Sequence, residues 1–263
     1  MIMEIIAGNL KGIFHETVQS ALSFIFPPKC VICDEYLEEE NSLGFCQSCL
    51  DELPWIKPPI CPACGLPYLA TPEAPDHLCG DCTRNKYAFQ WARASTIYRT
   101  KIRSVIHRFK FGNRPELARA LVKTLFVNET VFRDVPQADS IVPVPLHRER
   151  LRRRGYNQAL LLAKSLGNEI NLPVECHNLR RIRKTIPQIG LGPSERKKNV
   201  RNAFRIKRPE RVKGKKVFLV DDVYTTGNTL NECARTLREA GSESVFAVTI
   251  CRVSLFETSF NEI

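Results

Sequence analysis

The segment from Lys216 to Leu230, KVFLVDDVYTTGNTL, constrains the fold of this chain most strongly. Val217 to Val220 form an apolar run that can be buried on both faces of a parallel sheet. Asp221 and Asp222 follow at the carboxyl end of that strand, where open α/β sheets bind ligands. Residues 225 to 229 are small, polar or hydroxyl-bearing and open a helix. The segment therefore predicts a ligand site at the edge of a parallel α/β sheet.

The residue types of this segment suit a sugar phosphate. Two carboxylates can accept hydrogen bonds from both hydroxyls of a ribose, and backbone N–H groups at a helix N-terminus bind phosphate. Gly227 lets the backbone approach a ligand closely. The structural alternative is a turn and a capped helix, because Asp, Thr and Asn are common at such positions. The ordered combination favours a binding site.

The same segment resembles the phosphoribosyl pyrophosphate (PRPP) signature of type I phosphoribosyltransferases. Those enzymes displace pyrophosphate from PRPP with a nitrogen nucleophile, so the resemblance implies PRPP and Mg²⁺ as ligands. The purine-salvage branch has an acidic residue at the first phosphate-loop position, where this chain has Thr225, and purine salvage is therefore disfavoured. The predicted PRPP-binding residues are Asp221, Asp222, Val223, Tyr224, Thr225, Thr226, Gly227, Asn228, Thr229, Arg154 and Gly155.

Eight of the eleven cysteines fall in four Cys-x-x-Cys pairs. Two such pairs complete a tetrahedral four-thiolate shell around Zn²⁺ and leave no open position for chemistry, so we expect two structural zinc sites. Disulfides are the alternative, but they need an oxidising compartment, and the N-terminus shows no secretory signal. We therefore expect a cytoplasmic protein. The predicted zinc ligands are Cys30, Cys33, Cys46, Cys49, Cys61, Cys64, Cys79 and Cys82.

Two arrangements of the cysteine pairs are open. Consecutive pairs can share a metal as two zinc ribbons, or alternate pairs can share one in an interleaved cross-brace. We favour consecutive pairing because each couple then closes a short loop, at a lower entropic cost. Cys176, Cys233 and Cys251 have no Cys-x-x-Cys partner and are expected to be small buried hydrophobes.

The chain is basic, with 39 Lys and Arg against 28 Asp and Glu and a formal net charge of +11. Neutralising phosphates with Lys and Arg supplies most non-specific affinity for nucleic acids, so the charge allows such a partner. No segment approaches the roughly eighteen consecutive apolar residues that a spanning helix needs, and we expect no membrane span.

Composition divides the chain into three regions. Residues 1–28 have apolar side chains near helical spacing and predict an amphipathic leading helix. Residues 29–90 are rich in Pro, Cys and Gly, as is typical of a metal-stapled double zinc ribbon. Residues 91–263 alternate strand and helix patterns, which predicts a mostly parallel sheet. The strands are expected at 92–98, 139–145, 216–222 and 244–250, and two of the helices at 157–170 and 229–240.

Arginines are concentrated in LHRERLRRRGYNQ, between the predicted strand ending at Pro145 and the predicted helix starting near Asn157. In a parallel sheet this segment faces the same crevice as the two aspartates, so its guanidinium groups can bind pyrophosphate by forked hydrogen bonds. A solvated arginine run is the alternative for all of them except Arg154. Another positive surface consists of Arg99, Arg103, His107, Arg108 and Lys110, and we expect it to be a solvated helix face rather than a site.

A second basic tract, Arg180 to Lys216, predicts a loop with one short helix from Ser194. A polar loop of this length is uncommon unless it is functional, and we hypothesise a lid over residues 185 to 202. Candidate nucleic-acid contacts lie in both tracts: Arg148, Arg150, Arg152, Arg153, Arg196, Lys197 and Lys198.

Five segments in order carry a narrower resemblance: FPPKC, HRFKFGNRPELARAL, VPVPLHRERLRRRGYNQ, TIPQIGLGPSERKKNVRNAF and LVDDVYTTGNTL. Together they resemble the competence protein F family over residues 24 to 252. The resemblance implies a double zinc ribbon joined to a type I phosphoribosyltransferase-like domain. It also implies a role in handling single-stranded DNA during natural transformation. It does not by itself imply transferase turnover.

We therefore expect a protein that binds PRPP with Mg²⁺ and single-stranded DNA, in support of DNA uptake. The alternative is an active phosphoribosyltransferase of unknown acceptor, because displacement at the anomeric carbon depends on positioning and charge stabilisation. A third hypothesis makes the zinc module a docking platform for a helicase or a DNA-uptake channel component. The sequence has no Gly-x-x-x-x-Gly-Lys-Ser/Thr motif, so any ATP-driven step belongs to such a partner.

Overall fold

The computed structural model describes residues 27–38, 43–71, 73–133, 137–183 and 199–254. Its main strands are β1 (Trp91–Ile97), β2 (Ser140–Pro143), β5 (Lys216–Tyr224) and β6 (Ser244–Arg252). They form one sheet in the order β1-β6-β5-β2, and every neighbouring pair is parallel. Each strand contains a run of buried residues, as expected for strands covered on both faces. The predicted parallel α/β fold is confirmed.

A separate ribbon lies in the second basic tract. Its strands β3 (Leu179–Arg181) and β4 (Phe204–Ile206) pair antiparallel, and a 3₁₀ turn follows at Pro209–Arg211. The prediction of a loop was therefore wrong for this ribbon, whereas residues 199–200 are helical, in agreement with the short helix predicted from Ser194. Three-residue strands are too short to show an alternating pattern in sequence. Residues 184–198, which include most of the hypothesised lid, lie outside the described residues.

Seven α-helices lie wholly within the described residues, and residues 199–200 are also helical. They are α1 (Gln47–Asp51), α2 (Gly80–Arg84), α3 (Thr100–Phe111), α4 (Leu117–Val127), α5 (Arg148–Arg154), α6 (Gln158–Ile170) and α7 (Asn228–Glu239). The predicted helices at 157–170 and 229–240 correspond to α6 and α7. The apolar stripe of α3 is buried at Ile102, Val105, Ile106 and Phe109, whereas Phe111 is exposed.

Helices cover both faces of the sheet. Ile141 of β2 lies close to Gly167 of α6, whereas the next residue, Val142, belongs to a buried cluster with Leu230 and Leu237 of α7. Neighbouring residues of a strand point to opposite faces, so α6 and α7 lie on opposite sides. Burying one such side chain stabilises the fold by about 1.5–3 kcal/mol.

Strand pairing places the two aspartates beside the end of β2. Strand β5 pairs with β2 only as far as Val220, opposite Pro143, but with β6 as far as Tyr224, opposite Arg252. The strand is therefore longer than the predicted 216–222. Asp221 and Asp222 lie within β5 at the point where its β2 side becomes open.

Two compact units make up the chain, and the boundary falls between Glu52 and Leu53. The first unit contains the first four of the paired cysteines, and the second contains the other four together with the sheet. The boundaries predicted at residues 28 and 90 stay predictions. The predicted leading helix, except for its last two residues, lies outside the described residues.

None of the helices in the described ranges is long and apolar enough to cross a membrane.

Candidate functional site

Asp221 and Asp222 form the centre of the site. Asp222 is 8% exposed, and its backbone N–H donates to Asp221 Oδ1 over 2.9 Å. This internal hydrogen bond fixes one Asp221 oxygen against the strand backbone. The two carboxylates are thus held at the open side of β5, as a pair of hydrogen-bond acceptors.

Lys110, from the last turn of α3, is paired with this acidic group. Its Nζ lies 2.8 Å from Asp222 Oδ1, and the two side chains are only 18% and 11% exposed. The prediction that Lys110 is solvated was therefore wrong. A signal was present in the sequence, because Lys110 follows the buried Phe109 and lies four residues after Ile106, at the border of the apolar stripe.

Burial and nearby charges shift the pKa of Asp221 and of Lys110. Burial and the neighbouring charge of Asp222 raise the pKa of Asp221 to about 7, against the attraction of Lys110 and Arg181. Burial lowers the pKa of Lys110, but the attraction of Asp222 outweighs it, so the net pKa is raised. Lys110 therefore stays protonated at neutral pH, whereas Asp221 is close to its titration midpoint.

Arg181 of β3 also belongs to the surroundings of Asp221. Its guanidinium lies 5.3 Å from the centre of the Phe204 ring, and its charge helps to lower the Asp221 pKa. Sequence reasoning missed Arg181, because a three-residue strand within a basic tract gives no pattern that separates it from its neighbours.

The phosphate loop, residues 225–227, connects β5 to α7. Gly227 is the N-cap of α7 and has a left-handed backbone with φ of 73°, which favours glycine. Asn228 and Thr229 begin the helix, so the N–H groups of its first turn face the end of the loop. The Thr226 hydroxyl is buried and has no hydrogen-bond partner among the described residues. The loop therefore offers donors that suit a phosphate.

The arginine-rich segment forms helix α5. The His147 side chain caps its start by accepting a hydrogen bond from Glu149 N over 3.4 Å, and Gly155 ends it with φ of 80°. Arg154 Nη1 donates to Gln158 Oε1 over 3.0 Å, and its guanidinium lies 4.8 Å from the centre of the Phe111 ring. These contacts hold the Arg154 guanidinium beside the end of α3, which carries Lys110.

A pocket of about 420 Å³ lies between the end of α3 and the end of α5. Its lining consists of Lys110, Phe111, Asn113, Arg152, Arg153, Arg154 and Gly155. Four of these side chains are cationic and none is acidic, so the pocket suits an anion. Lys110 lines this pocket and also pairs with Asp222, so it connects the pocket of the predicted Arg154 and Gly155 with the acidic pair.

The predicted nucleic-acid contacts differ in their solvent exposure. Arg148, Arg152 and Arg153 are exposed on α5, whereas Arg150 is half-buried. Burial and repulsion from Arg154 and Arg153 lower the pKa of Arg150. The other three residues, Arg196, Lys197 and Lys198, lie outside the described residues.

The paired cysteines form two groups of four. One group is Cys30, Cys33, Cys46 and Cys49, and the other is Cys61, Cys64, Cys79 and Cys82. Within each group the sulfur atoms all lie within 4.8 Å of one another. The preference for consecutive pairing is confirmed.

The sulfur spacing fits zinc. Cys33 and Cys46 sulfurs are 3.6 Å apart, and Cys64 and Cys79 sulfurs are 3.7 Å apart. A tetrahedron with Zn–S bonds of about 2.3 Å has edges of about 3.8 Å. Each group can therefore hold one structural Zn²⁺, with all four positions taken by protein ligands.

All eleven cysteines lie in the described ranges and none forms a disulfide. The four sulfur ligands of the second group are all buried, whereas Cys33 of the first group is exposed. Cys233 and Cys251 are buried as predicted, but Cys176 is only half-buried.

Comparison with known families finds two matches. Residues 21–83 match a double zinc ribbon domain, and residues 157–254 match a phosphoribosyl transferase domain. The first match spans both groups of four cysteines. The second match spans α6, the antiparallel strands β3 and β4, the acidic pair and the phosphate loop.

Several curated proteins are similar to the chain over most of its length. DNA utilization protein YhgH of Salmonella typhi is 35% identical, over 73% of this chain and 84% of that protein. Competence protein F of Haemophilus influenzae is 32% identical, over 82% of this chain and 93% of that protein. Competence protein ComFC of Bacillus subtilis is 29% identical, over 85% and 94% respectively.

Proposed function

The chain belongs to the competence protein F family, and from that premise we propose that it is a cytoplasmic protein that binds PRPP with Mg²⁺ and single-stranded DNA. Its relatives are named for competence and for DNA utilization, which supports a role in DNA uptake. The observation that carries the PRPP proposal is the acidic pair, which precedes the phosphate loop in the chain and is linked to the cationic pocket through Lys110.

Each part of PRPP has a counterpart at the site. The ribose hydroxyls donate to the carboxylates of Asp221 and Asp222, and the 5′-phosphate binds to residues 225–229. The pyrophosphate lies in the cationic pocket, with Lys110 and Arg154. Mg²⁺ bound with PRPP neutralises part of the pyrophosphate charge.

Binding without turnover is the simpler function. The phosphate loop has Thr225 where the purine-salvage enzymes have an acid, so it offers no group to move a proton from a base. The cationic pocket beside the acidic pair can nevertheless receive a leaving pyrophosphate, which favours an active phosphoribosyltransferase as the second candidate.

A calorimetric titration of the zinc-loaded protein with PRPP and Mg²⁺ tests the proposal. The wild-type protein should bind saturably, and Asp221→Asn/Asp222→Asn should lose at least about a hundredfold in affinity, because two charged acceptors are removed. Asp139→Asn is the matched control. Asp139 Oδ2 accepts from Lys216 N over 2.8 Å at the opposite end of β5, so this change should leave PRPP affinity intact.

Two results of this titration would change the proposal. Absence of wild-type binding, or equal loss in the acidic-pair variant and the Asp139 control, contradicts it. Acceptor-dependent release of pyrophosphate by the wild-type protein, abolished in the acidic-pair variant, would establish the enzyme instead.

The DNA proposal is tested by fluorescence anisotropy with labelled single-stranded DNA at increasing salt. Arg148→Gln/Arg152→Gln/Arg153→Gln removes three exposed cations from α5 and should lower the salt slope by about 2. The control Arg119→Gln/Arg133→Gln/Lys164→Gln removes three exposed cations elsewhere and should change the slope less. Equal changes in both triple variants, or no binding at about 50 mM salt, count against a DNA surface on α5.

A further inference from the structure

Arg252 connects the second group of four cysteines to the end of β5. It is the last residue of β6 and is only 5% exposed. Its Nη1 donates a hydrogen bond to the backbone carbonyl of Cys64, one of the four sulfur ligands. Its guanidinium also lies 4.5 Å from the centre of the Tyr224 ring. One buried side chain therefore touches both a zinc knuckle and the last residue of β5.

Tyr224 in turn supports the phosphate loop. A Cβ added to Gly227 would clash with the Tyr224 hydroxyl and would lie 2.7 Å from ring atom Cζ. The Tyr224 ring is therefore in close contact with the loop backbone, and a shift of the ring must move the N-terminus of α7. The position of the phosphate donors depends on where Arg252 holds Tyr224.

A second connection runs from the segment after Cys82. Ala88 N donates to the side-chain oxygen of Asn231, in the first turn of α7, over 2.7 Å. Phe89 contacts the Tyr224 ring edge-on, with 6.5 Å between ring centres. The knuckle of Cys64 and the segment after Cys82 thus reach the same loop by separate contacts.

The metal is what makes these contacts rigid. Structural zinc contributes folding free energy directly, so an ion shared by the four thiolates restrains the backbone at Cys64. Without the ion, Arg252 Nη1 loses a fixed acceptor at Cys64. Arg252 Nε has no hydrogen-bond partner among the described residues, so the guanidinium would then have few polar contacts left. A buried guanidinium left without partners is unfavourable and will move.

We propose that the second zinc site positions the phosphate loop, and that Arg252 is the positioning residue that couples zinc occupancy to PRPP binding. This inference rests on the proposed PRPP function. Thermodynamic coupling is reciprocal, so if zinc at this site strengthens PRPP binding, then PRPP must strengthen zinc binding by the same factor. The zinc in the first group serves as an internal reference.

The test measures zinc release from the metal-loaded, full-length protein to a chromogenic chelator, with and without PRPP and Mg²⁺. Cys30→Ser/Cys33→Ser removes the first site and thereby assigns the two kinetic phases. PRPP should slow release from the second site about tenfold and leave release from the first site unchanged. ATP with the same Mg²⁺ controls for zinc chelation by phosphates.

Arg252→Gln should abolish the protection of the second site by PRPP and weaken PRPP binding in calorimetry. Arg238→Gln is the matched control, because Arg238 Nη1 also donates to a backbone carbonyl, that of Ser242, over 2.7 Å. The control should keep full protection. If Arg252→Gln does not fold, Arg252→Lys takes its place in the test. This variant retains a cation near the Tyr224 ring without the forked donor, and it should lose most of the protection.

The outcomes separate the two proposals. If PRPP binds to the wild-type protein but release from the second site is unchanged, or if both sites are protected equally, the coupling is refuted and PRPP binding stands. If PRPP does not bind at all, the proposed function fails and the coupling fails with it.

Discussion

Asp221 and Asp222 are neighbouring carboxylates in a partly buried site, where two ionised groups repel each other. The pKa of Asp221 is raised to about 7, so the folded protein holds a proton there that the unfolded chain has released. The unliganded protein should therefore lose stability as the pH rises from about 4 to about 7. The same proton should also govern ligand binding, because a neutral acid has less acceptor capacity than a carboxylate.

PRPP affinity should rise about tenfold from pH 6 to pH 8, as Asp221 goes from mostly protonated to mostly ionised. Calorimetric titrations across this range measure the effect. Asp221→Asn separates it from the ionisation of the PRPP phosphates themselves, since that variant should show a flatter profile. Identical pH profiles for the two proteins would show that Asp221 does not titrate in this range or does not contact the ligand.

Lys110→Met should shift this profile to higher pH and lower PRPP affinity about tenfold at pH 8. Lys110 pairs with Asp222 at 2.8 Å and lowers the Asp221 pKa, so its loss should raise that pKa. Lys110 also lines the cationic pocket, so its loss should weaken the binding of the pyrophosphate. Lys164→Met, an exposed lysine on α6, is the control and should change neither quantity. A lowered affinity with an unshifted pH profile would limit Lys110 to binding the anion.

Among the elements, the phosphate loop depends most on one backbone conformation. Gly227→Ala should reduce PRPP affinity at least about tenfold, because φ of 73° is strained for alanine and its methyl group meets the Tyr224 ring. Gly214 has φ of 70° with nothing within 4 Å, so Gly214→Ala has the same backbone strain without the clash. Thermal unfolding should show a cost of about 1–2 kcal/mol for the backbone strain in Gly214→Ala and a larger cost in Gly227→Ala, where the clash with Tyr224 is added. Equal PRPP affinities in the two would mean that the loop conformation does not matter.

Elements built from local patterns were predictable from the sequence. The apolar run before Asp221 indicated β5, the small residues after it indicated the start of α7, and the Cys-x-x-Cys spacing indicated both zinc groups. The partners of the acidic pair were not predictable. Lys110 and Arg181 belong to α3 and β3, which are distant from β5 in the sequence, and no local period encodes contacts between distant segments.

At the scale of the whole molecule, the second zinc group is part of the sheet unit. Its cysteines share a buried cluster with Phe89, Ala92 and residues of α7. Ile56 and Ile60 pack with Ala94 and Ile97 of β1 in another cluster. The compact-unit boundary between Glu52 and Leu53 follows from these contacts.

A protein that starts at Leu53 should therefore fold cooperatively with one bound zinc. A protein that starts at Trp91 should not, because it lacks the residues before Trp91 that belong to the two buried clusters. Zinc content and thermal unfolding by circular dichroism measure both. A stable, cooperative 91–263 protein would instead support the boundary at residue 90 predicted from the sequence.

A crystal structure of the zinc-loaded protein with PRPP and Mg²⁺ tests the central claim most directly. The account predicts ribose hydroxyls within about 3.2 Å of the Asp221 and Asp222 carboxylates, the 5′-phosphate on residues 225–229, and the pyrophosphate beside Lys110 and Arg154. Ligand density at another place, or an empty phosphate loop at saturating PRPP, would contradict it.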